Sequence, residues 1–207
     1  MRDLIVTQNI TLDGVIDASE GWFAVADDPE VDRSDLQEAL AEQSAAADAV
    51  LFGRVTFEEM RGYWPEQTDD TTGVTDYLNR VAKYVVSGTL GDPGWEPTTV
   101  LPADGFADAI GALKAEPGRD IVTTGSITLV HALIGAGLVD EYRLFVYPVV
   151  LGRGRRLFPD GTSVPALRLV ETRPFRSGVV LLRYRPAGGQ GRRGTSRLSR
   201  LVAPVAR

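Results

Sequence analysis

The chain has 207 residues, 43% of them hydrophobic and 24% charged, with a formal net charge of −6. That length suits one well-filled α/β domain, and no apolar run approaches the roughly 18–20 residues of a membrane span. Cysteine is absent, which excludes disulfides, thiolate catalysis and cysteine-ligated zinc, and the start MRDLIVTQNI is too short and too acidic for a signal peptide, so a cytoplasmic protein is expected.

Charge is uneven. Residues 187–207 hold five of the 22 basic side chains and no acid, so residues 1–186 carry 17 basic against 28 acidic groups, a net −11. An acidic body binds nucleic acid poorly, and neither a nucleic-acid nor a membrane partner is expected. Residues 1–186 read as one domain, and 187–207, rich in Gly, Arg and Ser, as a flexible tail.

In chain order, LIVTQNI (4–10) is a short apolar run suited to a buried strand, followed by an Asp-Gly turn signal at Asp13-Gly14. A helix is expected over 34–47: Ser34 and Gln37 have capping-box spacing, Asp35 sits in the first turn, and Ala39, Leu40 and Ala46 form the inner face. AVLFG (49–53) is a second strand, 56–64 a short helix stopped by Pro65, and 71–81 another helix. KYVVSG (83–88) and TTVL (98–101) are strands, 105–116 a helix, IVTTGS (121–126) a strand, and 127–140 a helix closed by Gly135 and Gly137. A strand over 141–152 contains Pro148, which predicts a bulge or an edge position, and 166–186 reads as a hairpin. The alternation predicts an α/β domain, with a central mostly parallel mixed sheet, antiparallel strands at its C-terminal end and helices on both faces.

Three strands end in glycine or hydroxyl residues just before a helix or turn: FGRVT, VVSGT and VTTGS. Ligands of open α/β sheets bind beyond the carboxyl ends of the strands, and helix N-termini suit phosphates. Each end alone is compatible with an ordinary turn. Three in one domain can hold a long, doubly charged ligand such as a dinucleotide, although neither GxGxxG nor GxxxxGK[ST] is present.

The segments TLDG (11–14), DAVLFGRVTFEEM (48–60), GYWP (62–65), VVSGT (85–89) and the long block 125–161 resemble the dihydrofolate-reductase-like superfamily. Within it the chain is most similar to the C-terminal reductase domain of the bacterial bifunctional riboflavin deaminase–reductase, over about residues 2–186. That resemblance implies an NADPH-dependent reductase, of the kind that acts on 5-amino-6-(5-phosphoribosylamino)uracil. It implies cofactor contacts at Gly53, Arg54 and Thr56 (pyrophosphate and adenosine phosphate), at Ser87, Gly88 and Thr89 (adenosine side), and at Gly125, Ser126 and Ile127 (second glycine turn). Leu12, Asp13 and Gly14 would lie beside the nicotinamide, with Asp13 as proton donor and Trp22 as pocket wall.

Two further expectations concern substrate. Asp35 stands near the place where folate reductases keep a pteridine-gripping carboxylate, although Asp is also favoured in any first helical turn. Arg153 and Arg155, with Arg156, lie on a Gly-rich loop that suits a sugar phosphate, a dimer contact or simple charge balance. His131 is expected to pack or cap locally, and no metal site is expected. A zinc deaminase partner domain needs a Pro-Cys-x-x-Cys motif, which this chain lacks. The alternatives are a folate-type reductase and a nucleotide-binding module of the same fold without catalysis. A homodimer is expected, because YRLFVYPVV and GVVLLRYR are more apolar than an exposed sheet edge should be.

Overall fold

A computed structural model describes residues 1–19, 21–22 and 31–188. The expected flexible tail, from residue 189 on, lies outside the described residues. The elements run β1 (Leu4–Thr11), α1 (Ser34–Ala46), β2 (Ala47–Gly53), α2 (Arg54–Tyr63), α3 (Val74–Arg80), β3 (Ala82–Val86), β4 (Thr98–Leu101), α4 (Phe106–Ala115), β5 (Asp120–Thr123), α5 (Ile127–Gly135), β6 (Glu141–Tyr147), β7 (Leu167–Pro174) and β8 (Val180–Pro186). They build an eight-stranded sheet in the order β4-β3-β2-β5-β1-β6-β8-β7. The pairs from β4 to β6 are all parallel, and β8 and β7 are added antiparallel.

Period-two alternation assigns the two faces. Leu4, Val6, Ala49, Leu51 and Leu144 pack against Ile110 and Leu113 of α4 and Val130 and Leu133 of α5. On the opposite face Val50, Phe52 and Val85 pack against Phe57 of α2 and Leu78 of α3. Phe145, Tyr147 and Leu181 meet Leu36 and Ala39 of α1 there.

Local chemistry shifts several expected boundaries. The Ser34–Gln37 capping box does not form: Arg33 is the N-cap and gives no side-chain bond, while the Asp32 carboxylate accepts the Ser34 N–H at 2.9 Å. Of the expected inner face of α1 only Ala39 is buried; Leu40 and Ala46 are exposed. The strand expected over 141–152 stops at Tyr147, because Pro148 has no N–H for the ladder. Helix α5 ends in a Schellman turn, with Leu138 N–H bonded to Leu133 O and Gly137 N–H to Ile134 O, and Gly137 takes φ 65° there. The late strands are not apolar because they form an open edge. β6 lies between β1 and β8, and the edge strand is β7, which carries Arg168, Glu171 and Arg173 and a bulge between Leu169 and Glu171 and so is guarded as edges usually are. Tyr142, Leu144, Phe145, Tyr147, Val179 and Leu181 are buried within the chain, while Val150 is exposed.

At the N-terminal ends of the parallel strands lies a buried ion network. Glu141 is fully buried and accepts from Nε of Arg143 (2.6 Å), Arg183 (2.9 Å) and Arg185 (2.8 Å). Those arginines also reach Asp120 (3.1 Å), Glu171 (2.7 Å) and Asp3 (2.6 Å). Burial alone would raise the Glu141 pKa, but the hydrogen bonds from Arg183 and Arg143 outweigh it and hold the group below its ordinary 4.5. Removing one member of such a network leaves buried charge uncompensated. Glu141→Gln should therefore cost about 3 kcal/mol by urea denaturation at pH 7. The wild-type advantage should be full above pH 4.5 and shrink as the pH falls through the lowered native value.

Lys83 offers the opposite sign. Its ammonium is buried, donates to Leu78 O (2.7 Å) and Val81 O (3.0 Å) at the end of α3, and lies 4.7 Å from the Trp95 ring centre. Burial pushes its pKa down from 10.5 to about 8, against the attraction of Glu96. The unfolded chain then binds more protons between those values, so stability rises with pH there. Measured against Lys83→Met, wild-type stability should climb by on the order of 2–3 kcal/mol between pH 8 and 10.5; a flat difference would contradict it.

Candidate functional site

The carboxyl ends of β2 and β5 are neighbours because β5 pairs with β2 on one side and β1 on the other. Three hydrogen bonds lace them together. Gly53 N–H donates to Ser126 Oγ at 2.9 Å, Ser126 N–H donates to Thr56 Oγ1 at 3.0 Å, and Gln8 Nε2, from β1, donates to Gly125 O at 2.9 Å. The fit is close: a Cβ on Gly125 would lie 3.1 Å from Thr56 Cγ2, and Gly125 has φ 60°. Ser126 itself is left-handed at φ 44°, unusual for a residue with a Cβ.

This lacing starts two helices from neighbouring turns, α2 on one face of the sheet and α5 on the other. Gly53 is the N-cap of α2 and Ser126 of α5, and neither supplies a side-chain bond to its own helix. Ser126 gives its lone pair to the neighbouring turn instead. The first turns of both helices therefore begin without side-chain caps at neighbouring strand ends, each carrying the partial positive charge of a helix end. Ile127 contributes only backbone here, because its side chain belongs to the core.

The strand end of β3 adds a third feature. Ser87 Oγ accepts the N–H groups of Thr89 (3.0 Å) and Leu90 (2.9 Å), and Gly88 approaches Ala103, whose Cβ would be 3.7 Å from an added Cβ. Ser87, Thr56 and Ser126 thus share one property: each hydroxyl accepts a backbone N–H, so its own proton is left to donate. Arg54 opens α2 with its side chain 42% exposed and ion-paired to Glu58 at 2.6 Å, one turn on.

The ends of β1 and β6 hold the remaining expected residues. Asp13 accepts from Thr11 Oγ1 (2.6 Å), Leu151 N–H (3.2 Å) and Gly152 N–H (2.7 Å). The Thr11 and Gly152 bonds hold its pKa down to about 2. Asp13 thereby braces the 150–152 loop. Leu12 is 63% exposed beside it. Trp22 is buried, donates Nε1–H to Asp17 O at 2.7 Å and meets Tyr147 edge-on at 5.2 Å. Arg155 pairs with Asp17 at 3.1 Å, and the Arg-rich loop that also carries Arg153 is tied to the 14–17 segment by Ile16 N–H to Arg155 O and Leu157 N–H to Gly14 O. Those bonds give it a local bracing task. His131 packs locally, its Nε2 donating to Arg156 O at 2.8 Å. Asp35 accepts the Arg176 N–H at 3.0 Å and so fastens α1 to the β7–β8 turn.

A cavity of about 890 Å³ opens between α1 and α3 on the α1/α2 face of the sheet. Leu36, Leu40 and Ala41 line one side, Trp64, Val74 and Tyr77 the other. From sequence Leu40 reads only as part of the inner face of α1 and Trp64 only within GYWP; none of these reads as lining a cavity, and Gln8 does not read as a site residue. Gln8 lies inside an apolar run whose pattern says only that it is buried. The cavity residues come from elements that meet only in the folded chain.

Comparison with known proteins agrees with this architecture. Residues 2–181 match the family model of the RibD C-terminal domain. The uncharacterized protein YyaP of Bacillus subtilis (strain 168) is 33% identical over 188 residues, covering 88% of this chain and 94% of that protein. A diaminohydroxyphosphoribosylaminopyrimidine deaminase/5-amino-6-(5-phosphoribosylamino)uracil reductase from Thermotoga maritima superposes with a TM-score of 0.60 at 15% identity, covering 90% of this chain and 57% of that one. A dihydrofolate reductase from Enterococcus faecalis, complexed with NADP(H), superposes with a TM-score of 0.56 at 19% identity, covering 88% and 95%. The fold is dihydrofolate-reductase-like.

The lacing can be tested through Ser126. Ser126→Ala loses the bond from Gly53 and keeps the left-handed backbone, and should cost about 1–2 kcal/mol in urea. Ser126→Gly loses the same bond but recovers about 1 kcal/mol of backbone strain, so it should be the more stable of the two. Equal stabilities would show that φ 44° is not what the folded chain imposes.

Proposed function

The chain belongs to the RibD C-terminal domain family, and from that membership we propose that it is an NADPH-dependent reductase of a small carbonyl or imine compound. The observation that carries this reading is the trio of hydroxyls, Ser87, Thr56 and Ser126, each pinned as an acceptor with a proton to spare. They stand along three neighbouring strand ends, β3, β2 and β5, around two helix N-termini without side-chain caps. Such an arrangement suits a ligand with phosphates at separated points.

The residues divide the task. First-turn N–H groups of α2 and α5, with Thr56 and Ser126, would hold the pyrophosphate. Gly53 and Gly125 let backbone approach it. Ser87, Gly88 and Thr89 would meet the adenosine side, and Arg54 would leave Glu58 for the 2′-phosphate. Leu12 and the Trp22–Tyr147 wall would flank the nicotinamide. When bound, NADPH supplies a hydride to the carbon of a C=N or C=O bond. The heteroatom would take its proton from water reaching the site. A ribosylaminouracil phosphate is the reference compound for a turnover screen.

Fluorescence titration with NADPH tests the reading, and absence of binding rejects it. Arg54→Ala should weaken NADPH roughly tenfold or more, the value of a charge-assisted phosphate contact of about 1.5–3 kcal/mol. Glu58→Gln should tighten it by about twofold, since an exposed i,i+4 pair is worth about 0.3–0.5 kcal/mol. If neither change moves the affinity, Arg54 is not in the site.

A further inference from the structure

Gln8 is a polar side chain in apolar surroundings. It is 3% exposed, it shares one face of β1 with Val6 and Ile10, and its register partner on β6 is Leu144. An amide so placed is destabilising unless it is bonded. Its one side-chain bond to a described residue runs from Nε2 to Gly125 O, at 2.9 Å, between residues 117 apart in the chain.

Gly125 O belongs to the same peptide unit as the Ser126 N–H, which donates to Thr56 Oγ1 at 3.0 Å. The unit is trans, so its carbonyl and its N–H point in opposite directions. It is therefore gripped from both sides: by Gln8 on the face of the sheet that carries α4 and α5, and by Thr56 of α2, which packs on the other face. This peptide has a reason to turn over. Gly125 has φ 60° and Ser126 φ 44°. Rotating the plane by half a turn would swing φ of Ser126 out of the left-handed region, which a residue with a Cβ disfavours. It would also bring the Gly125 carbonyl round to the side of Thr56, where α2 begins. A partial negative charge would then face the space assigned above to the pyrophosphate.

We infer that Gln8 is a positioning residue for the cofactor: with Thr56 it clamps the Gly125–Ser126 peptide against this flip and keeps the carbonyl turned away from the phosphates. Gln8 acts through Gly125 and touches no part of the ligand. The identity of the ligand rests on the reductase reading, whereas the clamp rests on the two hydrogen bonds alone.

Calorimetric titration of the full chain with NADP+ and with adenosine 2′-monophosphate, which has no pyrophosphate, tests this in Gln8→Met and Gln8→Glu. Methionine fills nearly the same volume without a donor. Gln8→Met should therefore weaken NADP+ about three- to tenfold, the worth of one hydrogen bond, and leave adenosine 2′-monophosphate unchanged. Gln8→Glu should respond to pH. Protonated, the new carboxyl donates an O–H to Gly125 O as the amide does; ionised, it only accepts. Its NADP+ affinity relative to wild type should fall as the pH rises from about 5 to about 9, while that of Gln8→Met relative to wild type stays level. Equal weakening of both ligands by Gln8→Met marks a general loss of structure and overturns the inference. So does unchanged NADP+ affinity in Gln8→Met, or an affinity of Gln8→Glu indifferent to pH. A wild-type chain that binds neither ligand rejects the reductase reading and this inference with it; wild-type binding with indifferent variants rejects this inference alone.

Discussion

The hydrogen bonds between the β2 and β5 turns are what the functional half of the molecule depends on. Gly53 and Ser126 are far apart in the chain, yet each turn supplies what the other lacks: Gly53 N–H finds Ser126 Oγ, and Ser126 N–H finds Thr56 Oγ1. Because these partners are mutual, neither helix is capped from within. The left-handed backbone of Ser126 is the local cost, and two uncapped helix starts at neighbouring strand ends are the result.

The opposite ends of the strands follow a different rule. There the charges are saturated: Glu141 takes three arginines, and these take Asp120, Glu171 and Asp3 in turn. The network holds together β1, β5, β6, β8 and β7, whose order in the sheet does not follow the chain. One end of the sheet is thus electrostatically closed, and the other keeps donors in reserve.

Much of the fold was legible in the sequence because strong local signals agreed with it. Apolar runs, Gly/Pro punctuation and alternating element types placed every strand and helix within a few residues of its position. Expectations failed where a longer-range partner decided the matter. Ser34 and Gln37 have capping spacing, but Asp32 takes the Ser34 N–H. For Asp13 and Asp35 the sequence did not show their long-range partners, the N–H groups of Leu151 and Gly152 for the first and of Arg176 for the second. The glycine turns could be named from sequence, whereas their mutual bonding, the donor Gln8 and the α1–α3 cavity could not. Each of those arises from residues that no motif links.

The alanines of that cavity carry a consequence for how such proteins diverge. Ala41, Ala45, Ala47 and Ala82 all border it, and none takes part in the bonding between the two glycine turns. Replacing any one of them with a bulkier residue shortens the available space by a carbon or two without disturbing the machinery at the strand ends. The cavity works as a ruler with interchangeable stops: the length it offers can change by single methyl groups while the turns at the strand ends stay as they are.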